Sequence, residues 1–289
     1  MRKLIAALCA VALLAVAGPG LGAELDRLRA KADRGSPRAQ YELGALYEAG
    51  RGVAQSYETA AQWYARAAEQ GLAEAQDRLG FLYTHGYGVP WDRAAALEWY
   101  GRAVAQGYPR AQFNLGEMHF KGRGVPQSFA EAMAWWRRAA AQGYAPAEYR
   151  LGVMHEEGQG IPRDFETAAS WYRRAAEQGH AAAQFHLGWM HREGDGVAES
   201  DETAAHWFRR SAERGYLKAM FNLAILHFTG RGVEKDIVTA YMWAHLAADR
   251  GNKYGREVKH HLVKLMTAEE IAAGRKRAQA CLLRGYKGC

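Results

Sequence analysis

Four histidines recur at a fixed interval and are the residues best suited to bind a metal ion. They are 36 residues apart, and tyrosines fill the two earlier positions of the series: Tyr47, Tyr83, His119, His155, His191 and His227. Zinc ligands must converge within about 2.0–2.1 Å of the ion, whereas packed helices lie roughly 8–10 Å apart. No cysteine or acidic residue recurs beside the histidines. We therefore predict packing residues with a hydrogen-bonding edge, and no metal or other cofactor.

The remaining motifs do not form a catalytic set. Paired glycines of the form G-x-G recur from Gly50/Gly52 onward, but they lack the lysine of a phosphate-binding loop. The sequences H-E-x-x-H, G-x-S-x-G and S-x-x-K do not occur. We predict a protein that is not an enzyme. The alternatives are a cell-wall-associated, β-lactamase-like hydrolase and a structural spacer without a dedicated partner.

The first 23 residues have the order of a secretory signal peptide. Arg2 and Lys3 precede an apolar run from Leu4 to Ala17, which is shorter than the roughly 20 residues of a membrane span. We predict cleavage after Ala23 and a periplasmic or secreted product, with an uncleaved anchor as the alternative. Cleavage would lower the formal net charge from +7 to +5. An excess this mild does not indicate a nucleic-acid partner.

Two cysteines lie beyond that segment, Cys281 and Cys289. An even number of cysteines in an oxidising compartment favours a disulfide. Two free thiols or an intermolecular bridge are the alternatives.

The elements that would position these residues follow a 36-residue repeat without insertions. Ala39, Leu43 and Leu46 are spaced as on one face of an α-helix, which we call helix A. The residue after the leucine is small in every repeat, which indicates that a neighbouring helix approaches closely. The series is Gly44, Gly80, Gly116, Gly152, Gly188 and Ala224.

A second helix, helix B, follows the glycine pair. It opens with a predicted N-cap, because Ser and Asp oxygens accept the free N–H groups of a first turn. The N-cap series is Ser56, Asp92, Ser128, Asp164, Ser200 and Asp236. Ala60, Trp63 and Ala67 share one helical face, and we predict the tryptophan series as core. Arg66 and its equivalents are expected on a solvated face paired with Glu69, Glu177 and Glu213, or on a basic ridge that meets an anionic surface.

The pattern A-x-x-x-L-G-x-x-Y/H-x-x-G-x-G-V, followed by S/D, A-x-x-W and a terminal glycine, resembles the Sel1-like repeat, a relative of the tetratricopeptide repeat. The resemblance covers six units: 36–71, 72–107, 108–143, 144–179, 180–215 and 216–251. It implies an all-α, right-handed superhelical solenoid whose concave side is lined by the A helices. A capping helix over 24–35, and capping helices with a tail over 252–289, would close the ends. Members of the family mostly serve as scaffolds and adaptors.

Function should reside in the helix A positions that differ between repeats. Large apolar groups among charged ones are expected in the groove, where they could anchor an unidentified protein or peptide. The candidates are Phe81, Glu117, Phe120, Arg150, Val153, Glu156, His186, Trp189, Arg192, Ile225 and Phe228. The alternative is that some of them pack against the next A helix. The oligomeric state is left open.

Overall fold

The computed structural model describes residues 19–289, and the fold over this range is all-α. Fifteen helices are present and no strand occurs among the described residues. Residues 1–18 of the predicted signal peptide lie outside this range. None of the described helices is long and apolar enough to cross a membrane. The helices are Pro19–Asp33 (α1), Pro37–Ala49 (α2), Tyr57–Glu69 (α3), Ala73–His85 (α4), Arg93–Ala105 (α5), Pro109–Lys121 (α6), Phe129–Ala141 (α7), Ala145–Glu157 (α8), Phe165–Glu177 (α9), Ala181–Glu193 (α10), Asp201–Ala212 (α11), Leu217–Thr229 (α12), Ile237–Asp249 (α13), Lys253–Val263 (α14) and Ala268–Leu283 (α15).

These helices form two compact units, one ending at Trp135 and the other beginning at Trp136. In the first unit, α2 packs on α3 and α4 packs on α5. In the second unit, α8 packs on α9, α10 on α11 and α12 on α13, while α14 and α15 cover α13. Each of the five pairs is helix A and helix B of one repeat, so the hairpin is the building block of both units.

Recurring hydrogen bonds fix the link between helix A and helix B. Each helix A of the six repeats is followed by a glycine with positive φ, the left-handed conformation that ends a helix. The backbone N–H of the N-cap residue of helix B then donates to the carbonyl of the Tyr or His series, at 2.7–3.1 Å in all six repeats. The N-cap side chain accepts from the first turn of helix B in every repeat. The six predicted N-caps are confirmed.

The core of a repeat is an aromatic ring of helix B lying against the glycine of helix A. Tyr172 is fully buried, and a Cβ on Gly152 would lie only 2.6 Å from its ring. The same contact joins Tyr64 to Gly44, Tyr100 to Gly80 and Phe208 to Gly188. The sixth repeat changes both partners, because Ala224 replaces the glycine and Ala244 replaces the ring, and both are buried. The predicted close approach at the glycine series is confirmed.

The tryptophan series, which we predicted as core, is fully buried only in the sixth repeat, while Trp63, Trp99 and Trp207 are partly buried and pack against core clusters. Trp243 is fully buried, but the tryptophans of the first five repeats are only half-buried. The following residue of helix B, about 100° further around the helix, faces helix A instead. Four of the half-buried rings are covered by the arginine three residues later, with guanidinium–ring distances of 4.4–5.1 Å: Trp63 by Arg66, Trp99 by Arg102, Trp171 by Arg174 and Trp207 by Arg210.

The expected pairing of these arginines with Glu69, Glu177 and Glu213 does not form at Arg66, Arg174 or Arg210. Among the described residues, Arg174 instead pairs with the buried carboxylate of Glu148 at 2.8 Å. The arginine series therefore lies on a largely solvated face and covers tryptophan rings there. Arg102 also pairs with Glu98 at 2.5 Å, so the glutamate partners differ from the expected ones.

Buried glutamines connect helix A to the preceding helix in the first, second and fifth repeats. Gln184 is completely buried, and its Nε2 donates to the carbonyl of Ala176 at 2.9 Å. Gln40 and Gln76 make the equivalent bond at 3.1 Å. A buried amide must be hydrogen-bonded to avoid a desolvation penalty, so this bond ties the position of one repeat to the next.

The C-terminal segment closes the second unit. Thr267 and Glu270 form the predicted capping box at the start of α15. The predicted bridge between Cys281 and Cys289 is present, with the two Cα atoms 5.6 Å apart. Cys281 is fully buried in the core cluster of α12 and α13, and Tyr286 packs on that cluster.

Gly152→Ala should lower the free energy of unfolding by about 1–3 kcal/mol, because the added methyl group would overlap the Tyr172 ring. The matched control is Gly101→Ala, an exposed glycine within α5 with no atom within 4 Å of the added Cβ. It should raise stability by about 0.5–1 kcal/mol. Urea unfolding of both variants tests the contact, and equal effects of the two changes would contradict it.

Stability should depend on the protonation of His180, which caps α10. Its Nδ1 accepts from the backbone N–H of Ala183 at 3.2 Å, which requires the neutral ring. Burial, and secondarily the charge of His186, lower the His180 pKa below its ordinary value. The unfolded chain therefore binds more protons, and stability falls as the pH drops from about 6.5 through the lowered pKa.

His180→Asn retains a capping oxygen but does not titrate. Between about pH 7.5 and pH 5, the variant should lose less stability in thermal melts than the wild-type protein. The variant should still lose some stability as the pH falls, because burial also lowers the pKa of His155, His227 and His245. Identical pH dependence of the two proteins would show that His180 has no such role.

Reduction of the Cys281–Cys289 bridge should release residues 284–289 without unfolding the repeats. A disulfide stabilises chiefly by restricting the unfolded segment, and this one spans a separation of only eight residues. Hydrogen exchange should speed up in the tail and remain unchanged in α8 to α11. Faster exchange throughout the second unit would contradict this expectation.

Candidate protein-binding surface

The predicted binding residues lie on one face of successive A helices. Phe81 belongs to α4, and Glu117 and Phe120 belong to α6, in the first unit. The other candidates lie on α8, α10 and α12 of the second unit. We call the following residues the variable face: Arg150, Val153, Glu156, His186, Trp189, Arg192, Asn222, Ile225 and Phe228.

The candidates of the first unit are largely occupied by neighbouring side chains. Phe81 is half-buried, with the Arg78 guanidinium 4.7 Å from its ring centroid and the His85 ring at 4.2 Å. Phe120 is half-buried and lies 5.4 Å from the ring of Phe129. Glu117 is also half-buried, and it accepts a hydrogen bond from Lys121 of the same helix at 2.6 Å. The expectation that these phenylalanines face solvent is wrong.

The variable face of the second unit keeps one aromatic residue open. Trp189 is 37% exposed, and Arg192 lies over its ring at 4.2 Å. Phe228 is half-buried against the core cluster of α12 and α13, and its ring meets the edge of His261. Of the four aromatic candidates, only Trp189 has the predicted exposure. Phe120 and Phe228 reach a later helix, whereas Phe81 is covered by side chains of its own helix, and these contacts reduce the exposure of all three rings.

Hydrogen bonds link the variable face from helix to helix. Glu156 of α8 bonds to Nδ1 of His186 on α10 at 3.1 Å, and Arg192 of α10 donates to Asn222 of α12 at 3.1 Å. The first unit has the equivalent pair, Arg78 with Glu48. Each bond joins residues 30 positions apart, so these polar residues of the face also stabilise the stacking of repeats.

Glu156 is the centre of the strongest polar cluster on this face. The buried Tyr172 donates its hydroxyl to Glu156, and the Tyr149 hydroxyl lies 3.4 Å from Nε2 of His186. Burial opposes ionisation of Glu156, but hydrogen bonds from His186 and Tyr172 outweigh it and lower the Glu156 pKa. The same environment raises the Tyr172 pKa, chiefly through burial. Glu156 is therefore a fixed negative charge at neutral pH.

An apolar row separates the row of Arg150, His186 and Asn222 from the row of Glu156, Arg192 and Phe228. Val153, Trp189 and Ile225 occupy equivalent positions on α8, α10 and α12. Val153 and Ile225 are half-buried, and Trp189 is exposed. The face thus presents an apolar strip flanked by Arg, Glu, His and Asn side chains held in place by hydrogen bonds. Such a surface is suited to binding a polypeptide, since anchors with restricted rotamers lose little entropy on binding.

The histidine series does not assemble a metal centre. Nδ1 of His191 lies 3.0 Å from the carbonyl of Ala198, and Nδ1 of His227 lies 3.2 Å from that of Glu234. Within residues 19–289, no group of three or more His, Cys, Asp or Glu side chains is placed to hold a metal ion. The bonds of His191 and His227 match the predicted packing role with a hydrogen-bonding edge.

One buried ion pair is not predicted by the repeat pattern. Asp77 is completely buried in the first unit, where it pairs with Arg110 and accepts from Asn114 at 2.7 Å. Burial raises the Asp77 pKa, while Arg110 and Asn114 oppose the rise. The signal in the sequence is an aspartate in a series otherwise made of aromatic residues, such as Tyr41 and Phe185. Its contacts join α4 to α6.

The chain matches the Sel1 repeat over six consecutive segments: 37–72, 73–108, 109–144, 145–180, 181–216 and 217–252. No curated protein sequence matches the chain. Among solved structures, a Sel1 repeat protein from Oxalobacter formigenes is 32% identical, with a TM-score of 0.71 over 75% of this chain and 89% of that protein.

Two further structures share the fold. A Sel1 repeat protein from Klebsiella pneumoniae is 22% identical, with a TM-score of 0.50 over 70% of this chain and 98% of that protein. The immunity protein Pa5087 from Pseudomonas aeruginosa is also 22% identical, with a TM-score of 0.50 over 78% of this chain and 81% of its own. With six matched repeats and the recurring glycine–ring contact, this chain belongs to the Sel1 repeat family of all-α, tetratricopeptide-like solenoid proteins.

Proposed function

We propose that this protein is an exported, non-enzymatic scaffold that binds a protein or peptide on the variable face of α8, α10 and α12. Sel1 repeat proteins generally act as scaffolds for protein interactions. Export is supported by the order of residues 1–23 and by the disulfide, which is typical of an oxidising compartment. Solvent exposure of Trp189 within the variable face is the observation that carries the binding assignment.

The invariant positions of the repeat cannot select a partner, because they are used in packing. The residues that differ between repeats can select a partner. On the variable face, Arg192 lies over the ring of Trp189, and His186 of the same helix bonds to the fixed charge of Glu156. A partner would bury the tryptophan and match the charges on either side. Tryptophan and arginine are the residue types most enriched among interface positions that dominate affinity.

The size of the surface limits the partner segment. With neighbouring helices roughly 10 Å apart, three A helices span roughly 20 Å. That length corresponds to about six residues of extended chain or about four turns of helix. The partner segment should present an apolar side chain to Trp189.

Trp189→Ala should abolish photo-crosslinking between this face and its partner without lowering the melting temperature. The crosslinker is a photoreactive phenylalanine analogue in place of Ile225, and mass spectrometry identifies the product formed in cells. Trp189 is 37% exposed and belongs neither to the core cluster of α12 and α13 nor to that of α9 and α10. Loss of such an anchor costs roughly 2 kcal/mol or more of binding.

The matched control is Trp91→Ala. Trp91 is 57% exposed in the first unit, and the Arg93 guanidinium lies 4.4 Å from its ring. The control therefore removes a tryptophan with a similar arginine contact that lies outside the variable face. It should leave the crosslink intact. Equal loss in both variants, or none in either, would contradict the assignment of the binding face. Nitrocefin turnover by the purified protein would contradict a non-enzymatic role.

A further inference from the structure

The C-terminal segment carries the whole positive net charge of residues 24–289. Residues 253–289 contain nine lysines and arginines against three acidic residues, a formal charge of +6. Residues 24–252 contain 27 basic and 28 acidic residues, a formal charge of −1. The charge asymmetry therefore lies on α14, α15 and the loop that follows, and the repeats themselves are close to neutral.

The same segment exposes large apolar side chains. Leu283 is 85% exposed and Leu282 is 50% exposed, and Leu283 is the most exposed large apolar residue in the part of the chain that the structure describes. A single exposed leucine is ordinary. Two adjacent leucines next to Arg284 and close to Lys287 are a different feature, because apolar groups flanked by basic ones are typical of surfaces that bind at a membrane interface.

The disulfide holds these leucines outward. Cys281 is anchored in the core, the Tyr286 ring lies 5.5 Å from the Arg250 guanidinium, and the backbone N–H of Gly288 donates to Glu213 at 3.1 Å. The end of α15 and the residues that follow it, 282–288, are thereby fixed at three places. We call Leu282, Leu283, Arg284 and Lys287, together with Lys276, the basic-leucine loop.

The charges of this loop are not neutralised within the protein. Over residues 19–289, no acidic side chain lies within 4 Å of the charged groups of Lys276, Arg284 or Lys287. Lys276 and Leu283 are seven residues apart on α15, so they share its outward face. Cationic groups and an apolar side chain are thus presented together on an exposed surface.

We propose that the basic-leucine loop binds the surface of an anionic phospholipid bilayer. Its lysines and arginines would contact headgroup phosphates, and Leu282 and Leu283 would enter the interfacial region. Each basic residue near an anionic surface strengthens binding roughly five-fold. A second copy of the chain is a poorer occupant, because a two-fold contact through this loop would bring two +6 segments together.

The test is co-sedimentation of the full chain with vesicles made of roughly equal parts phosphatidylglycerol and phosphatidylcholine, or of phosphatidylcholine alone. All proteins are purified in the same way, so any effect of the N-terminal segment is common to them. Wild-type protein should prefer the anionic vesicles and lose that preference at high salt. Arg284→Glu with Lys287→Glu should weaken binding by about ten-fold or more, and Leu283→Ala should weaken it by several-fold.

The charge-matched control is Lys218→Glu with Lys235→Glu, two exposed lysines in the sixth repeat. It changes the net charge equally and should retain binding. An equal loss in the control, or binding to both kinds of vesicle alike, would overturn the proposal. Retention on immobilised poly-glutamate without vesicle binding would overturn it in favour of an acidic polypeptide partner. Unchanged melting curves confirm that every variant is folded.

Discussion

The contact between a buried ring of helix B and a glycine of helix A is the constraint on which each repeat depends. Tyr172 fills the space that a Cβ on Gly152 would need, so the two helices cannot be this close with any other residue at position 152. The sixth repeat supports the same reasoning, because it replaces the glycine and the ring together. Other recurring features, such as the N-caps and the buried glutamines, then connect hairpins whose internal spacing is already set.

This packing explains why so few residues remain for recognition. Arginines cover the tryptophan rings of helix B, and the outer rows of the variable face bond from one helix to the next, as Glu156 does with His186. These positions vary between repeats but still contribute to stacking. Trp189 differs because it is exposed within that face. Specificity therefore depends on a small apolar strip in a frame whose polar groups are largely satisfied.

The C-terminal end of the described chain completes the second unit and also carries a feature of its own. At the C-terminal end, α14 and α15 cover the last repeat, and the disulfide holds a loop that carries exposed leucines and positive charge. A capping element needs only one face for packing, and its outer face is free to acquire another property. A scaffold with a partner-binding face in its repeats and a membrane-binding loop in its cap would hold its partner at a surface.

The sequence by itself determined the repeat, its helix boundaries, the N-caps and the family, because these depend on local spacing and on residue types with strong conformational preferences. It also identified the glycine series as a close approach and the two cysteines as a pair. The tertiary structure decided which ring is buried, since Trp171 and Tyr172 are adjacent and only the rotation of helix B distinguishes them. It likewise decided that Phe81, Phe120 and Phe228 are covered while Trp189 is open. The cover of Phe81 comes from Arg78 and His85 of its own helix, that of Phe120 from Phe129 of the next helix, and that of Phe228 from His261 of α14. Exposure therefore depends on how side chains that differ between repeats are packed together, and the repeat pattern does not record that packing.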